Sequence, residues 1–334
     1  MKRLVIVFLF CFFVFSLVPS TSAENDIQVI ITGQSLSNQI RYVDEQLILM
    51  GHTARSQRFG VAGATWQQIS AYEPPFVDSV AWGGDVVMLV HGETDANFST
   101  PFSEYSAFLH QIQADYSTEL GTITPLITDQ MSTLGQAGTN HAYISDITRA
   151  QWQAANDNQN IYLVGPSYMY SHVPDMVHLT TEGNRWHGEQ FAKVISSIES
   201  GQGWRPLEPD SITINGRVVT LELHVPVPPL QIDTVTLPAK QNLGFEWWDD
   251  GSEMAQIDGL SIDGNTITIH LDRIPTGQNM RLRYAYSGDG LATFWGNIKD
   301  SDTTPSYGGF DLSNWLVHFD LPVYRAIFFP MVSK

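Results

Sequence analysis

The chain runs to 334 residues and carries 17 Lys and Arg against 35 Asp and Glu, a formal charge of -18 at neutral pH. Such a surface repels nucleic acid and anionic membranes and favours neutral partners. Cys11 is the only cysteine, which excludes a disulfide scaffold, a thiolate zinc site and a cysteine nucleophile; the length predicts two domains with ordinary hydrophobic cores.

Met1-Lys2-Arg3, the apolar run Leu4 to Val18 and the small residues up to Ala23 predict a secretory signal peptide over 1–23, cleaved after Ala23. A retained anchor is the alternative, but a span needs about 20 apolar residues. The expected location is therefore secreted or periplasmic, with no stable membrane anchor after cleavage. Cys11 lacks the small-residue context of a lipid-attachment site.

From Asp26 to about Gly201 strand-like and helix-like segments alternate. Ile27 to Ile31, Asp85 to Val90, Thr122 to Thr128 and Ile161 to Val164 are short runs rich in β-branched residues that end in glycine or polar loops, as buried parallel strands do. Between them Pro101 to Leu120 places Tyr105, Phe108, Leu109 and Ile112 on one helical face. Ser145 to Ala155 is a second helix, and a third follows Thr180, with Trp186, Phe191, Val194 and Ile198 periodic. This alternation predicts a doubly wound α/β/α domain over 24–203.

Trp204 to Pro209 has the composition of a linker, and only strand-like runs follow it. Asn215-Gly216 and Asp263-Gly264-Asn265 are hairpin-turn signals, so a β-sandwich is expected over 204–334. Trp247-Trp248 with Trp295 offers either a sugar-stacking platform or sandwich core; neighbouring residues of a strand point to opposite faces, so one of the pair is expected buried.

Ligands of an open α/β sheet bind beyond the carboxyl ends of its strands. Gly33-Gln34-Ser35 follows the first strand, His91-Gly92-Glu93-Thr94-Asp95 another, and Asp175 and His178 the last. A serine, an imidazole and a carboxylate at one sheet edge are the parts of nucleophilic acyl transfer. Gly33 permits a tight turn that projects Ser35, whose own N–H can serve an oxyanion hole; the alternative is a helix-capping serine. Asp175, three residues before His178, reaches the ring Nδ1 locally and leaves Nε2 for Ser35. A solvent-exposed histidine with an unrelated capping aspartate is the bland alternative. His172, His178 and His187 lack a compact ligand spacing, so no metal and no cofactor is expected.

Gly33-Gln34-Ser35, Gly60-Val61-Ala62-Gly63-Ala64-Thr65, His91-Gly92-Glu93-Thr94-Asp95 and Asp175-Met176-Val177-His178 together resemble, in order, the four blocks of the SGNH hydrolases, in particular the sialate O-acetylesterase and acetylxylan esterase branch. The resemblance covers roughly residues 26–200. It implies a flavodoxin-like three-layer fold with a parallel sheet and hydrolysis of carboxylic esters, commonly acetyl groups on carbohydrates. It implies Ser35 as nucleophile, His178 as base, Asp175 as its orienting acid, and Gly63 beside Ser35 in the oxyanion hole. His91 departs from the family's amide side chain at that position: it either donates to the oxyanion or packs under the site. Glu93 orients His91, supports the Ser35 loop (with Gln34 and Asp95) or pairs with His178. The expected partner is an acetylated carbohydrate. The alternatives are a lipase- or thioesterase-like enzyme for longer acyl chains and an inactive glycan-binding module.

Overall fold

The computed structural model describes residues 26–131, 141–287 and 294–325; the leader segment expected over 1–23 lies outside them. In chain order the first part comprises β1 (Ile27–Gly33), α1 (Ser35–Gln39), α2 (Val43–Leu49), β2 (Ala54–Arg58), α3 (Trp66–Ile69), α4 (Pro74–Trp82), β3 (Val86–Val90), α5 (Glu93–Asn97), α6 (Phe102–Glu119), β4 (Leu126–Gln130), α7 (His141–Asp157), β5 (Ile161–Pro166) and α8 (Thr181–Glu199). The five strands form one parallel sheet in the order β2-β1-β3-β4-β5. That is the flavodoxin-like order, in which the direction of winding reverses between β1 and β3.

Strand periodicity divides the core into two layers. Val29, Ile31, Val86, Met88 and Val90 face a cluster that includes Leu47 of α2 and Phe191, Val194 and Ile195 of α8. The alternate residues Ile30, Val87 and Leu89 face Phe76 of α4 and Tyr105, Phe108, Leu109 and Ile112 of α6. Both faces are covered, so β3 is buried along its whole length, which is why Val86 to Val90 reads as an unbroken apolar run. Each such Val, Leu or Ile contributes roughly 1.5–3 kcal/mol on burial.

The second part is β-rich: β6 (Glu208–Asn215), β7 (Val218–His224), β8 (Gln231–Ile232), β9 (Phe245–Trp248), β10 (Ile257–Asp263), β11 (Thr266–Leu271), β12 (Arg281–Tyr284), β13 (Ile298–Lys299), β14 (Phe319–Pro322) and β15 (Tyr324–Arg325). Both turn signals close hairpins, β6 with β7 and β10 with β11. A five-stranded sheet, β10-β11-β7-β6-β15, and a three-stranded sheet, β14-β12-β9, direct Val219, Leu221, Ile269 and Phe245, Leu282, Tyr284 into a shared core. Trp247 is buried, whereas Trp248 is half-exposed with the Arg283 guanidinium 5.5 Å from its ring. Trp295 is buried under the Lys240 ammonium. Strand alternation thus assigns Trp247 to core, and burial places Trp295 there as well.

Segment 204–209, which has the composition of a linker, is packed against the α/β part. Leu207 and Glu208 are buried, Trp204 donates its indole N–H to the Leu163 carbonyl at 2.8 Å, and Trp152 donates to Glu208 at 2.6 Å. Buried polar side chains of the α/β part then grip the returning chain. The Gln130 amide donates to the His318 carbonyl at 3.0 Å and accepts from the His318 N–H at 2.8 Å. Gln46 does the same across Pro305 and Tyr307, at 2.8 Å each way.

Lys193 of α8 is the strongest of these ties. Its buried ammonium reaches Asp302 at 3.1 Å and Asn314 at 2.7 Å, and it also donates to the Leu312 carbonyl. Burial pushes its pKa down, while Asp302 acts against that. Removing the cation leaves a buried carboxylate without its partner, so Lys193→Ala is expected to cost roughly 3–5 kcal/mol, read as a lower denaturant midpoint. Among the described residues, no helix is long and apolar enough to cross a membrane.

Candidate active site

Three strand ends and one loop build the site. At the end of β1, Gly33 adopts φ 128°, and a Cβ there would fall 2.0 Å from the Val90 carbonyl oxygen of β3. Only glycine allows β1 to close against β3 and turn sharply. Ser35 is the first residue of α1, with Gln34 at the cap making no side-chain cap bond. Its hydroxyl therefore does not cap the helix. It lies 2.9 Å from His178 Nε2.

His178 arrives on the loop between β5 and α8. Asp175 Oδ1 accepts from the backbone N–H groups of Val177 and His178, both at 2.9 Å, and Oδ2 lies 2.7 Å from His178 Nδ1. The three-residue spacing thus folds into a local turn that aims the imidazole. With Nδ1–H donated to the carboxylate, Nε2 presents its lone pair to the Ser35 O–H. Partial desolvation of Asp175 works upward, but the hydrogen bonds from His178 and from the two backbone N–H groups outweigh it and hold the carboxyl below the ordinary range.

The 60–66 loop is tied to the same elbow. Val61 N–H donates to the Gly33 carbonyl at 3.0 Å, and Asn38 donates to the Gly60 carbonyl at 2.8 Å. Gly60 packs so closely on α1 that a Cβ would sit 1.9 Å from Ser37 Oγ. Within the loop, Ala64 N–H donates to the Val61 carbonyl at 3.2 Å, and Gly63 is exposed with φ 67°.

Of the two roles open to His91, donation to an oxyanion or packing under the site, its surroundings fit the second. The ring is buried, with Nδ1 3.0 Å from the Tyr105 hydroxyl and Nε2 3.0 Å from the Ala64 carbonyl oxygen. Burial pushes its pKa down to about 4, so the ring is neutral. The carbonyl accepts from Nε2–H, and Nδ1 accepts from Tyr105 O–H. Both ring nitrogens are committed beneath the 60–66 loop.

Glu93 does not pair with His178 either. It accepts from the Gln34 amide at 2.7 Å, and Gln34 in turn accepts from the Thr94 N–H at 3.2 Å. Its partner Gln34 directly precedes Ser35. Burial first, and then the nearby Asp129 charge, push the Glu93 carboxyl up to about 8. Asp95 is fully buried; it accepts from Trp66 N–H at 3.0 Å and Thr100 O–H at 2.9 Å, and desolvation raises it to about 6.

The sequence reading passed over Asp129 and weighed His187 only as a metal ligand. Asp129, at the end of β4, is 2.9 Å from His187 Nε2. The pair lines a cavity of about 10 Å³ with Glu93 and His172, below the His178 loop. The strand-end rule that singled out Ser35 and His91 points equally to Asp129; His187 is a helical residue with no local signal.

No family model and no curated protein matches this sequence. Solved structures do. A carbohydrate acetylesterase from Xanthomonas citri superposes with a TM-score of 0.65 at 13% identity, over 84% of this chain and 64% of that one. The chain thus spans a little under two thirds of that esterase's length. An acetyl xylan esterase gives a TM-score of 0.42 at 19% identity, covering 51% of this chain and all of its own. A carbohydrate esterase family 3 protein from Talaromyces cellulolyticus gives 0.40 at 16%, covering 52% of this chain and 99% of its own. The first likeness shows the fold: a three-layer α/β/α unit followed by a β-rich region.

Proposed function

We propose that this chain is a serine carboxylic ester hydrolase that removes O-acetyl groups from carbohydrates through an acyl-enzyme. The observation that carries the reading is the relay from Ser35 Oγ to His178 Nε2, 2.9 Å, and from His178 Nδ1 to Asp175 Oδ2, 2.7 Å. Ser35 attacks the acetyl carbonyl as His178 takes its proton, and Asp175 holds the tautomer and stabilises the imidazolium. The N–H groups of Ser35 and Gly63 receive the oxyanion. His178 returns the proton to the departing sugar oxygen, and water activated by the same imidazole then releases acetate.

Carbohydrate as the leaving group is supported by the openness of the site. Ser35 is half-buried and Asp175 is 51% exposed, which leaves room for a large polar leaving group. The acetylesterase that shares the fold points the same way. The basic and apolar segment before Ala23 supports export to where polysaccharide is met. Domains of 24–203 for catalysis and 204–334 as an accessory unit belong to the same proposal.

The test is release of acetate from a chromogenic ester and from acetylated polysaccharide. Ser35→Ala is expected to lower kcat by at least about 10⁴-fold, with an unchanged denaturation midpoint. Equal rates in the two proteins remove Ser35 from the mechanism, and a rate that climbs from acetate to longer acyl chains favours a lipase or thioesterase.

A further inference from the structure

The geometry points to His91 and Asp95 as a positioning clamp that holds the Gly63 loop in its oxyanion-receiving shape from below. The inference rests on the ester hydrolysis proposed above, and it gives the third sequence block a role different from oxyanion donation.

Gly63 is displayed by the tight turn that Ala64 N–H closes onto the Val61 carbonyl at 3.2 Å, and its left-handed φ of 67° is the conformation such a turn needs. The amino-terminal side of the turn is fixed by Val61 N–H on Gly33 and by Asn38 on Gly60. Its carboxyl-terminal side is held locally by Gln68 Oε1, which accepts the Thr65 N–H at 2.9 Å, and from below by two side chains of the 91–95 segment. His91 Nε2–H reaches the Ala64 carbonyl at 3.0 Å, and Asp95 Oδ2 accepts the Trp66 N–H at 3.0 Å. The two side chains are themselves 3.4 Å apart through Nε2 and Oδ2, so one compact unit grips both sides of residue 65.

The clamp is rigid because everything behind it is buried and bonded. The His91 ring stacks parallel to Tyr105, with centroids 5.9 Å apart, and Phe108 packs at 6.0 Å. Tyr105 holds Nδ1 at 3.0 Å, the Gln151 amide donates to the His91 carbonyl at 2.7 Å, and Thr100 holds the second Asp95 oxygen at 2.9 Å. A neutral imidazole is the appropriate group: it has one donor for Ala64 and one acceptor for Tyr105. An oxyanion hole works by being preorganised, and a misplacement of about 1 Å is enough to cost about 100-fold.

The experiment compares His91→Phe, His91→Gln and Asp95→Ala with the wild type in the full chain. His91→Phe keeps the ring but deletes the donor to Ala64; Gln restores a donor; Asp95→Ala frees Trp66 N–H without touching substrate. Expected for His91→Phe and Asp95→Ala is a kcat on a chromogenic acetate about 10- to 100-fold lower with KM within about threefold. Amide exchange should accelerate in the peptide covering residues 61–66 and stay at wild-type rates in the β-rich part. His91→Gln should recover most of kcat and of the protection.

Unaltered exchange over 61–66 in folded His91→Phe overturns the clamp. So does an Asp95→Ala variant with wild-type kcat, which would leave His91 acting on substrate directly. If His91→Phe does not fold, Asp95→Ala carries the test alone. A wild type inactive on every ester sinks the esterase reading, while the exchange measurement still decides the clamp.

Discussion

Asp175→Asn is expected to lower kcat by about 10³- to 10⁴-fold while leaving KM and the denaturation midpoint nearly unchanged. The size follows from how the carboxylate is used. One oxygen already takes two backbone N–H groups, from Val177 and His178, and the other takes His178 Nδ1 at 2.7 Å. An asparagine satisfies the backbone pair with its single oxygen and turns its NH₂ toward Nδ1. That NH₂ is a donor, so Nδ1 must accept, and the ring proton moves to Nε2, which faces Ser35. The serine then has no base. Stability is spared because the aspartate side chain is 51% exposed, and an exposed ion pair contributes little to folding. The measurement is steady-state acetate release beside a urea titration of the same variant. Activity within tenfold of wild type would mean that another carboxylate orients His178. Glu93, the other acid weighed for that role, is occupied with Gln34 at 2.7 Å.

Local chemistry accounts for what was legible. The Asp175–His178 pair lies within one turn of chain, and Ser35 directly follows a strand whose terminal glycine has one steric reason to be there. Four of the five parallel strands were readable because a strand covered on both faces leaves an apolar run; β2, a polar strand at the sheet edge, leaves none. What the sequence left open depended on partners far away in the chain. His91 owes its orientation to Tyr105, 14 positions later, and Ala64, 27 positions earlier; no spacing rule reports which way a ring turns. Asp129 and His187 meet across 58 positions. The packed crossover at 204–209 has the same origin. Its prolines and charges are those of a linker, yet Trp152 and Leu163 supply partners that bury it. Gln130 gripping His318 across 188 positions shows how the β-rich part comes to lie against the end of β4, next to the site.

The buried acids below Ser35 should make the protein lose stability as the solution becomes alkaline, and Glu93→Gln should abolish much of that loss. Glu93 is buried to 9% exposure, facing Gln34 beside the nucleophile; Asp129 of β4, paired with His187 of α8, and His172 of the His178 loop share its cavity. Burial, then Asp129 and Asp95, raise the carboxyl from 4.5 to about 8. The unfolded chain releases this proton near pH 4.5 and the folded chain keeps it to about pH 8. Between those values the native state binds more protons, so its stability is greatest at the acid end and falls as pH rises. One pKa unit corresponds to about 1.4 kcal/mol, so the loss should amount to a few kcal/mol by pH 8. Glutamine keeps the acceptor for Gln34 without a titrating proton and without a charge to oppose Asp129. The denaturation midpoint of Glu93→Gln should therefore vary less than that of the wild type between pH 5 and pH 9 and exceed it at the alkaline end. Two parallel curves across that range would mean that Glu93 ionises in the folded protein as it does in water. Because Gln34 directly precedes Ser35, the same variant should also retain more of its activity above pH 8, linking the protonation of a buried acid to the placement of the nucleophile.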